Sequence, residues 1–419
     1  MLPRTVVAGM RLALLAATPG ALAVGCDDAA SPVRDEAGPA TPPSERAWAL
    51  GSFLEEYWRL PVPPQGPAPA GSSEAETALD PQFCGACHPK QHREWLTSLH
   101  AGAFSPGFAG QLVEGALAAP AEVRNCQTCH APLAEQQPWN ATLESNTEYD
   151  AALRRRGIVC ASCHVREQQY FGPPRRAELP EISSSLPHGG FETRPEFQQS
   201  RFCASCHQFF DDPGVNGKPL ENTFAEWRAS PQAAAGRTCQ SCHMPDRAHL
   251  WRGIHDPEMV RSAVAVDLVM IDLDGDRVTA ALVLANRDVG HAFPTYVTPR
   301  VFLAVWQVDR DGHELAGTRV DAAIGREIDF GASPWREVFD TRVAPGGSVK
   351  LDYTAERTRG AAAIVGRVTV DPDYHYRGVF ESLLTTLEDP TARAQIADAH
   401  RRSSESTYTL TELRRPLSQ

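Results

Sequence analysis

The chain has 419 residues and a formal net charge of −12. That balance argues against a nucleic-acid-binding protein, whose phosphate partner asks for a basic surface. Its eleven cysteines and fourteen histidines are few enough that any clustering of them carries information.

The first stretch, MLPRTVVAGMRLALLAATPGALAVGC, sets Arg4 and Arg11 before a short apolar run and small residues before Cys26. This predicts a secretory signal over residues 1–25. The run is too short to span a bilayer, and no later segment is long and apolar enough to do so. Ala23-Val24-Gly25 before Cys26 resembles a bacterial lipobox, so lipidation of Cys26 is the expected and sole membrane attachment. Ordinary cleavage after Ala23 would instead leave one free thiol. Either reading places the mature protein outside the cytoplasm, in the periplasm or at the cell surface of a bacterium. Residues 26–46, rich in Ala, Pro, Ser, Asp and Glu, read as a flexible tether. Residues 47–79 carry Trp48, Leu50, Phe53, Leu54, Tyr57 and Trp58 at near-helical spacing and then VPPQGPAPAG. They predict a short helix followed by a proline-rich linker.

Residues 80–259 hold five copies of Cys-x-x-Cys-His, which together use ten of the eleven cysteines. They are Cys84, Cys87 and His88; Cys126, Cys129 and His130; Cys160, Cys163 and His164; Cys203, Cys206 and His207; and Cys239, Cys242 and His243. In this pattern two thiols add across the vinyl groups of one porphyrin, and the adjacent imidazole becomes an axial iron ligand. Zinc ribbons pair their Cys-x-x-Cys knuckles two per metal, so five is an awkward number for them. Neither zinc nor disulfide chemistry requires a histidine after every second cysteine. Five covalently attached haem c groups are therefore expected. So many cofactors in so little polypeptide predict short helices and loops wrapped around porphyrins.

Each closed haem iron takes a second ligand, and nine histidines lie outside the motifs. His100, after a helical-looking segment containing Trp95, is the leading candidate. His188, His249 and His255 sit in loops around the motifs, and His291 would dock the following region on the haems. These five would close all five irons and leave no open catalytic site. His92 is an alternative close to His100, whereas His313, His375 and His400 read as structural or solvent-facing. Glu94-Trp95-x-x-Ser98 recurs as Glu226-Trp227-x-x-Ser230, with Gln232 where His100 stands, so only the first copy would deliver a ligand. Arg154, Arg155 and Arg156, just before the third motif, could neutralise haem propionates or form a solvated face.

CHPKQHREWLTSLHA, CHAPLAEQ and EWRASPQAAAGRTCQSCHMP resemble multihaem c-type cytochromes similar to the tetrahaem electron acceptor of hydroxylamine oxidoreductase. The likeness covers roughly residues 80 to 260, and His100 falls on that family's Ser-x-His-Ala segment. It implies an electron carrier with mostly bis-histidine haems in close pairs, exchanging electrons with other redox proteins of a respiratory chain. The chain departs from the tetrahaem proteins in its fifth motif and its appended region. Related folds include enzymes, so action on a small nitrogen or sulfur compound at one open haem is the alternative.

Residues 260–385 alternate apolar runs with turn signals: SAVAVDLVMI, RVTAALVLAN, RVFLAVWQVD, GSVKLDYTAE and AAAIVGRVTV. This rhythm predicts an antiparallel, immunoglobulin-like β-sandwich. Residues 386–419 read as a helix and an extended arm. The whole is expected to be α+β: a haem-packed, mostly helix-and-loop cytochrome domain followed by the sandwich.

Overall fold

The computed structural model describes residues 52–118, 120–176, 190–210, 214–274 and 276–417. The signal, Cys26, the tether and His188 lie outside the described residues. No helix among these residues is long and apolar enough to cross a membrane.

The first half is built of short helices. Two begin with an Asp-Pro pair: Asp80 accepts the Gln82 N–H ahead of helix Pro81–Cys87, and Asp256 accepts the Met259 N–H ahead of Pro257–Ala263. The carboxylate satisfies an orphan amide, and proline fits the first turn, where its missing N–H costs nothing. Helix Ser52–Tyr57 packs Leu54 and Tyr57 against Phe202, and the Tyr57 hydroxyl donates to the Cys163 carbonyl at 2.8 Å. A second small cluster joins Val62, Trp95, Leu133, Leu153, Val159, Ala161 and Val165.

The second half holds two antiparallel sheets. We label its strands β1 (Val264–Asp274), β2 (Arg277–Asn286), β3 (Arg300–Val308), β4 (Val320–Ile324), β5 (Arg326–Asp329), β6 (Arg336–Asp340), β7 (Ser348–Glu356), β8 (Ala363–Asp371) and β9 (Tyr408–Pro416). One sheet runs β7-β2-β1 and the other β9-β8-β3-β4, while β5 and β6 form a hairpin. In β7 burial alternates residue by residue, with Val349, Leu351 and Tyr353 inward. That is the pattern of a strand with one face on a core and one in water. The inward faces of both sheets share a single cluster that includes Leu282, Leu284, Leu303, Val305, Ile364 and Val368.

The sandwich does not stop at residue 385. The tail forms helix Pro390–Glu405 and then β9, which pairs along β8 from Ala363↔Pro416 to Val370↔Tyr408. The arm is a sheet edge whose Leu410, with Leu417 just beyond the strand, extends the core, a signal diluted in sequence by the charged residues between them. Helices Tyr374–Thr386 and Pro390–Glu405 pack together through Phe380, Leu383, Ile396 and Ala399. They also meet helix Pro106–Ala118 of the first half, where Gly107 and Gly110 leave room for Phe380, Ala399 and Ile396.

Candidate haem-binding sites

Each Cys-x-x-Cys-His motif lies on a helical turn: Pro81–Cys87 with His88 as its cap, Pro120–His130, Cys160–His164, Arg201–His207 and Cys239–His243. Residues three and four apart share a helix face, so the two thiols and the following imidazole turn to one side. No disulfide joins these ten cysteines.

The motif imidazoles are oriented from behind. Nδ1 of His130 lies 2.7 Å from the Ala103 carbonyl, that of His164 2.8 Å from Phe171 and that of His243 2.6 Å from Arg252. A carbonyl at Nδ1 fixes the tautomer and leaves Nε2 as the metal-binding atom.

Across three of these imidazoles stands a second histidine. Ring centroids are 6.5 Å apart for His207 and His100, 6.2 Å for His164 and His249, and 6.4 Å for His243 and His291. An iron held between two imidazole nitrogens at roughly 2 Å each sets the ring centres about 6 Å apart. Each pair is therefore spaced for one iron. Burial pushes His100 down to about 3, with His207, His243 and His249 adding to the effect, and pushes His164 and His207 down to about 4. The rings are thus neutral, the form that binds a metal.

The motifs are also close to one another. Cys84 lies close enough to Cys160, Cys129 to Cys206, and Cys203 to Cys239 for each thiol to shift the ionisation of its neighbour. Cys163 lies near enough to act electrostatically on Cys203 and Cys206. The first motif thus adjoins the third, the third adjoins the fourth, and the fourth adjoins both the second and the fifth. Arg154 stacks over Phe104 and Tyr149, at 4.9 and 5.2 Å, while its buried Nε has no hydrogen-bond partner. An unanswered guanidinium N–H beside the motifs fits a propionate. Facing imidazoles, co-facing thiols and this arginine together fit haem c.

His255 is set elsewhere than expected. Its Nε2 lies 3.1 Å from both carboxylate oxygens of Asp373, the residue that precedes helix Tyr374–Thr386. A carboxylate in direct contact thus holds Nε2. His92 stacks on Trp95 at 5.8 Å, and His313 and His400 pair with Asp309 and Glu381.

The surroundings of the second motif differ from those of the three motifs with a facing histidine. Among the described residues no histidine stands at the same spacing from His130; the Phe108 ring stacks on the face of its imidazole, with centroids 4.0 Å apart and planes 12° apart. Near this motif's cysteines lie Glu221 and Tyr376. Burial pushes the Glu221 carboxyl up to about 8, partly opposed by hydrogen bonds from Thr223, with Glu226 and Cys129 adding to the rise. Burial also raises the hydroxyls of Tyr376 and Tyr296, the latter with Glu221 contributing. No sequence signal marks this group, which tertiary folding alone assembles.

Residues 83–165 match the family model described as cytochrome c554 and c-prime. No curated protein matches the chain. The structure is similar to the crystal structure of a penta-haem cytochrome c552 from Thermochromatium tepidum, with a TM-score of 0.56 and 19% identity over 82% of this chain and 100% of that one. The chain has the fold of a multihaem c-type cytochrome, and covalent haem c and electron transfer are what motifs, geometry and likeness jointly support.

Proposed function

We propose that this protein is a pentahaem c-type cytochrome that relays electrons between redox partners of an extracytoplasmic respiratory chain. The observation that carries the reading is the set of three facing histidine pairs, each 6.2–6.5 Å between ring centres, on motifs that adjoin one another. Haem, when bound, supplies reversible one-electron iron chemistry. The chain's residues do the rest. Paired thiols fix each porphyrin edge, Nδ1 contacts to carbonyls aim the imidazoles, and burial keeps those imidazoles neutral. Histidine on both sides, without methionine, favours low potentials. A lipid at Cys26 would hold the relay at a membrane surface and leave residues 26–46 as its reach. Replacement by serine should then release the protein from the membrane fraction.

A second reading is favoured by the second motif alone. His130 without a facing histidine among the described residues, with a protonated Glu221 and two tyrosine hydroxyls nearby, would suit an iron open to a small nitrogen or sulfur compound and supplied with protons. Mass spectrometry of the intact protein should show five haems; fewer would sink the count. Electron paramagnetic resonance on the oxidised protein then separates the readings. Low-spin signals only, with no carbon monoxide binding after reduction, sustain the relay. One stoichiometric high-spin haem that binds carbon monoxide shifts the assignment to catalysis at His130.

A further inference from the structure

Glu94-Trp95-x-x-Ser98 and Glu226-Trp227-x-x-Ser230 lie far apart in the chain and have no place in the relay as described, yet they make the same set of contacts. The Trp95 indole Nε1 donates to the Ile158 carbonyl at 2.8 Å, and Trp227 Nε1 donates to the Arg237 carbonyl at 3.0 Å. Ile158 and Arg237 each stand two residues before the first cysteine of a motif, Cys160 and Cys239. The same two residues donate their own N–H back to the unit, Ile158 to the His100 carbonyl and Arg237 to the Gln232 carbonyl, both at 3.0 Å. Gly157 and Gly236, one residue earlier, both take left-handed φ, +67° and +76°, which a side chain would resist.

The glutamates reach the other way. Glu94 Oε2 accepts the backbone N–H of His249 at 2.8 Å. Glu226 Oε2 accepts the N–H of Ala292, next to His291, at 3.0 Å. His249 faces His164 of the motif that Trp95 braces, and His291 faces His243 of the motif that Trp227 braces. One unit therefore ties a motif, through tryptophan, to the histidine opposite that motif's own imidazole, through glutamate. A charged acceptor on a backbone amide is a strong, directional bond.

We propose that the repeated Glu-Trp-x-x-Ser unit is a ligand-loop clamp, in which Glu94 and Glu226 are positioning residues that hold His249 and His291 at iron-bonding distance from the third and fifth motifs. The reach is of different kinds. Glu94 fixes a loop of the haem half, whereas Glu226 fixes the loop between β2 and β3, so the second copy couples the sandwich to a haem. Glu226 is itself held by Arg342 at 3.0 Å, and Arg342 also pairs with Asp340 of β6.

The clamp rests on the bis-histidine reading above, and the test keeps the two apart. Haem count and wild-type spin state are measured first on the full, haem-loaded protein; they test that reading and do not depend on the glutamates. Glu94→Ala, Glu94→Gln, Glu226→Ala and Glu226→Gln are then compared by electron paramagnetic resonance and carbon monoxide binding. Each alanine variant should keep its haems while one low-spin haem changes its g-values or becomes high-spin and binds carbon monoxide. The glutamine variants, whose amide oxygen still accepts the N–H, should restore the wild-type signal wholly at Glu94 and largely at Glu226. Wild-type spectra in both alanine variants, or equal changes in the alanine and glutamine forms of Glu94, would overturn the clamp. Should Glu226→Ala fail to accumulate because buried Arg342 loses one of its two carboxylate partners, the Glu94 pair decides.

Discussion

The two halves solve the same problem, a stable interior, by different means. Among the described residues, the β half buries twenty-three in one continuous apolar cluster shared by both sheets, whereas the largest cluster among the haem-bearing helices has seven. Buried there instead are polar side chains such as Gln127, Gln136, Ser162, Ser200 and Gln232. Gln136, for example, donates to the Leu153 and Gly157 carbonyls at 2.9 and 2.8 Å, stitching one loop to the next. Buried amides specify where loops go, but they contribute little net stability. A sheet pair that excludes water from its own faces can stand without help, and helices of one or two turns cannot. The cofactor is the expected remainder of the first half's core.

The sharpest way to break this comparison is to withhold haem. The full chain produced without haem attachment should show rapid amide hydrogen exchange across residues 80–260. Exchange in β2, β3, β7 and β8 should stay slow, with the loop carrying His291 as the exception. Uniform protection in both halves would show that the helices hold a core of their own.

The next effect is confined to one site. His100→Ala removes the ring facing His207 and, with it, one axial position. One haem should turn high-spin and bind carbon monoxide, while sandwich stability is unchanged. A spectrum identical to wild type would mean that His92 or another ligand has replaced it.

The reciprocal test belongs to the β half. Leu282 is fully buried between Leu268 and Leu351 in the first sheet. Leu282→Ala should cost about 2–5 kcal/mol of stability through lost burial and the cavity left behind. Haem spectra should not move, since the sheet interior touches no motif. A change in spin state would mean that the sandwich core sets ligand geometry over a longer range than the loop at His291.

How much of this was legible in the sequence follows from how local each signal is. The motifs and the strands β1, β2, β3, β7 and β8 are written in short windows, three-residue spacing in one case and period-two alternation in the other. His100, His249 and His291 were singled out from histidine scarcity and neighbourhood, but which motif each faces is a tertiary fact. His255 shows the limit: it stands in the same loop as His249, yet a carboxylate 118 residues away claims it. The Glu-Trp-x-x-Ser echo was visible too, but not its meaning. The first copy braces the third motif rather than the second, which follows it in sequence. The helix-plus-arm reading of the tail missed that the arm is a strand, because an edge strand shows only half its residues to the core.

That tail supplies the finest probe of how the halves are joined. Helix Pro390–Glu405 rests on Pro106–Ala118 of the haem half and then delivers β9 to the sandwich. Its N-terminus is capped by Asp389, whose Oδ1 accepts the Ala392 N–H at 2.7 Å, with Pro390 in the first turn. Asp389→Ala leaves that amide without its cap and should cost about 1 kcal/mol. Helix packing and strand pairing are not altered directly, so the loss tests transmission. If the helix is a strut between two independent bodies, hydrogen exchange should quicken in the helix alone. If it is the seam through which one half steadies the other, exchange should quicken together in β9 and in Pro106–Ala118. The shared packing of Ile396 and Ala399 with Gly110 and Gly107 predicts the second outcome, because a frayed first turn loosens Ala392 and Ile396, the buried residues nearest the cap. An effect confined to residues 389–395 would show that the two halves meet there without energetic coupling.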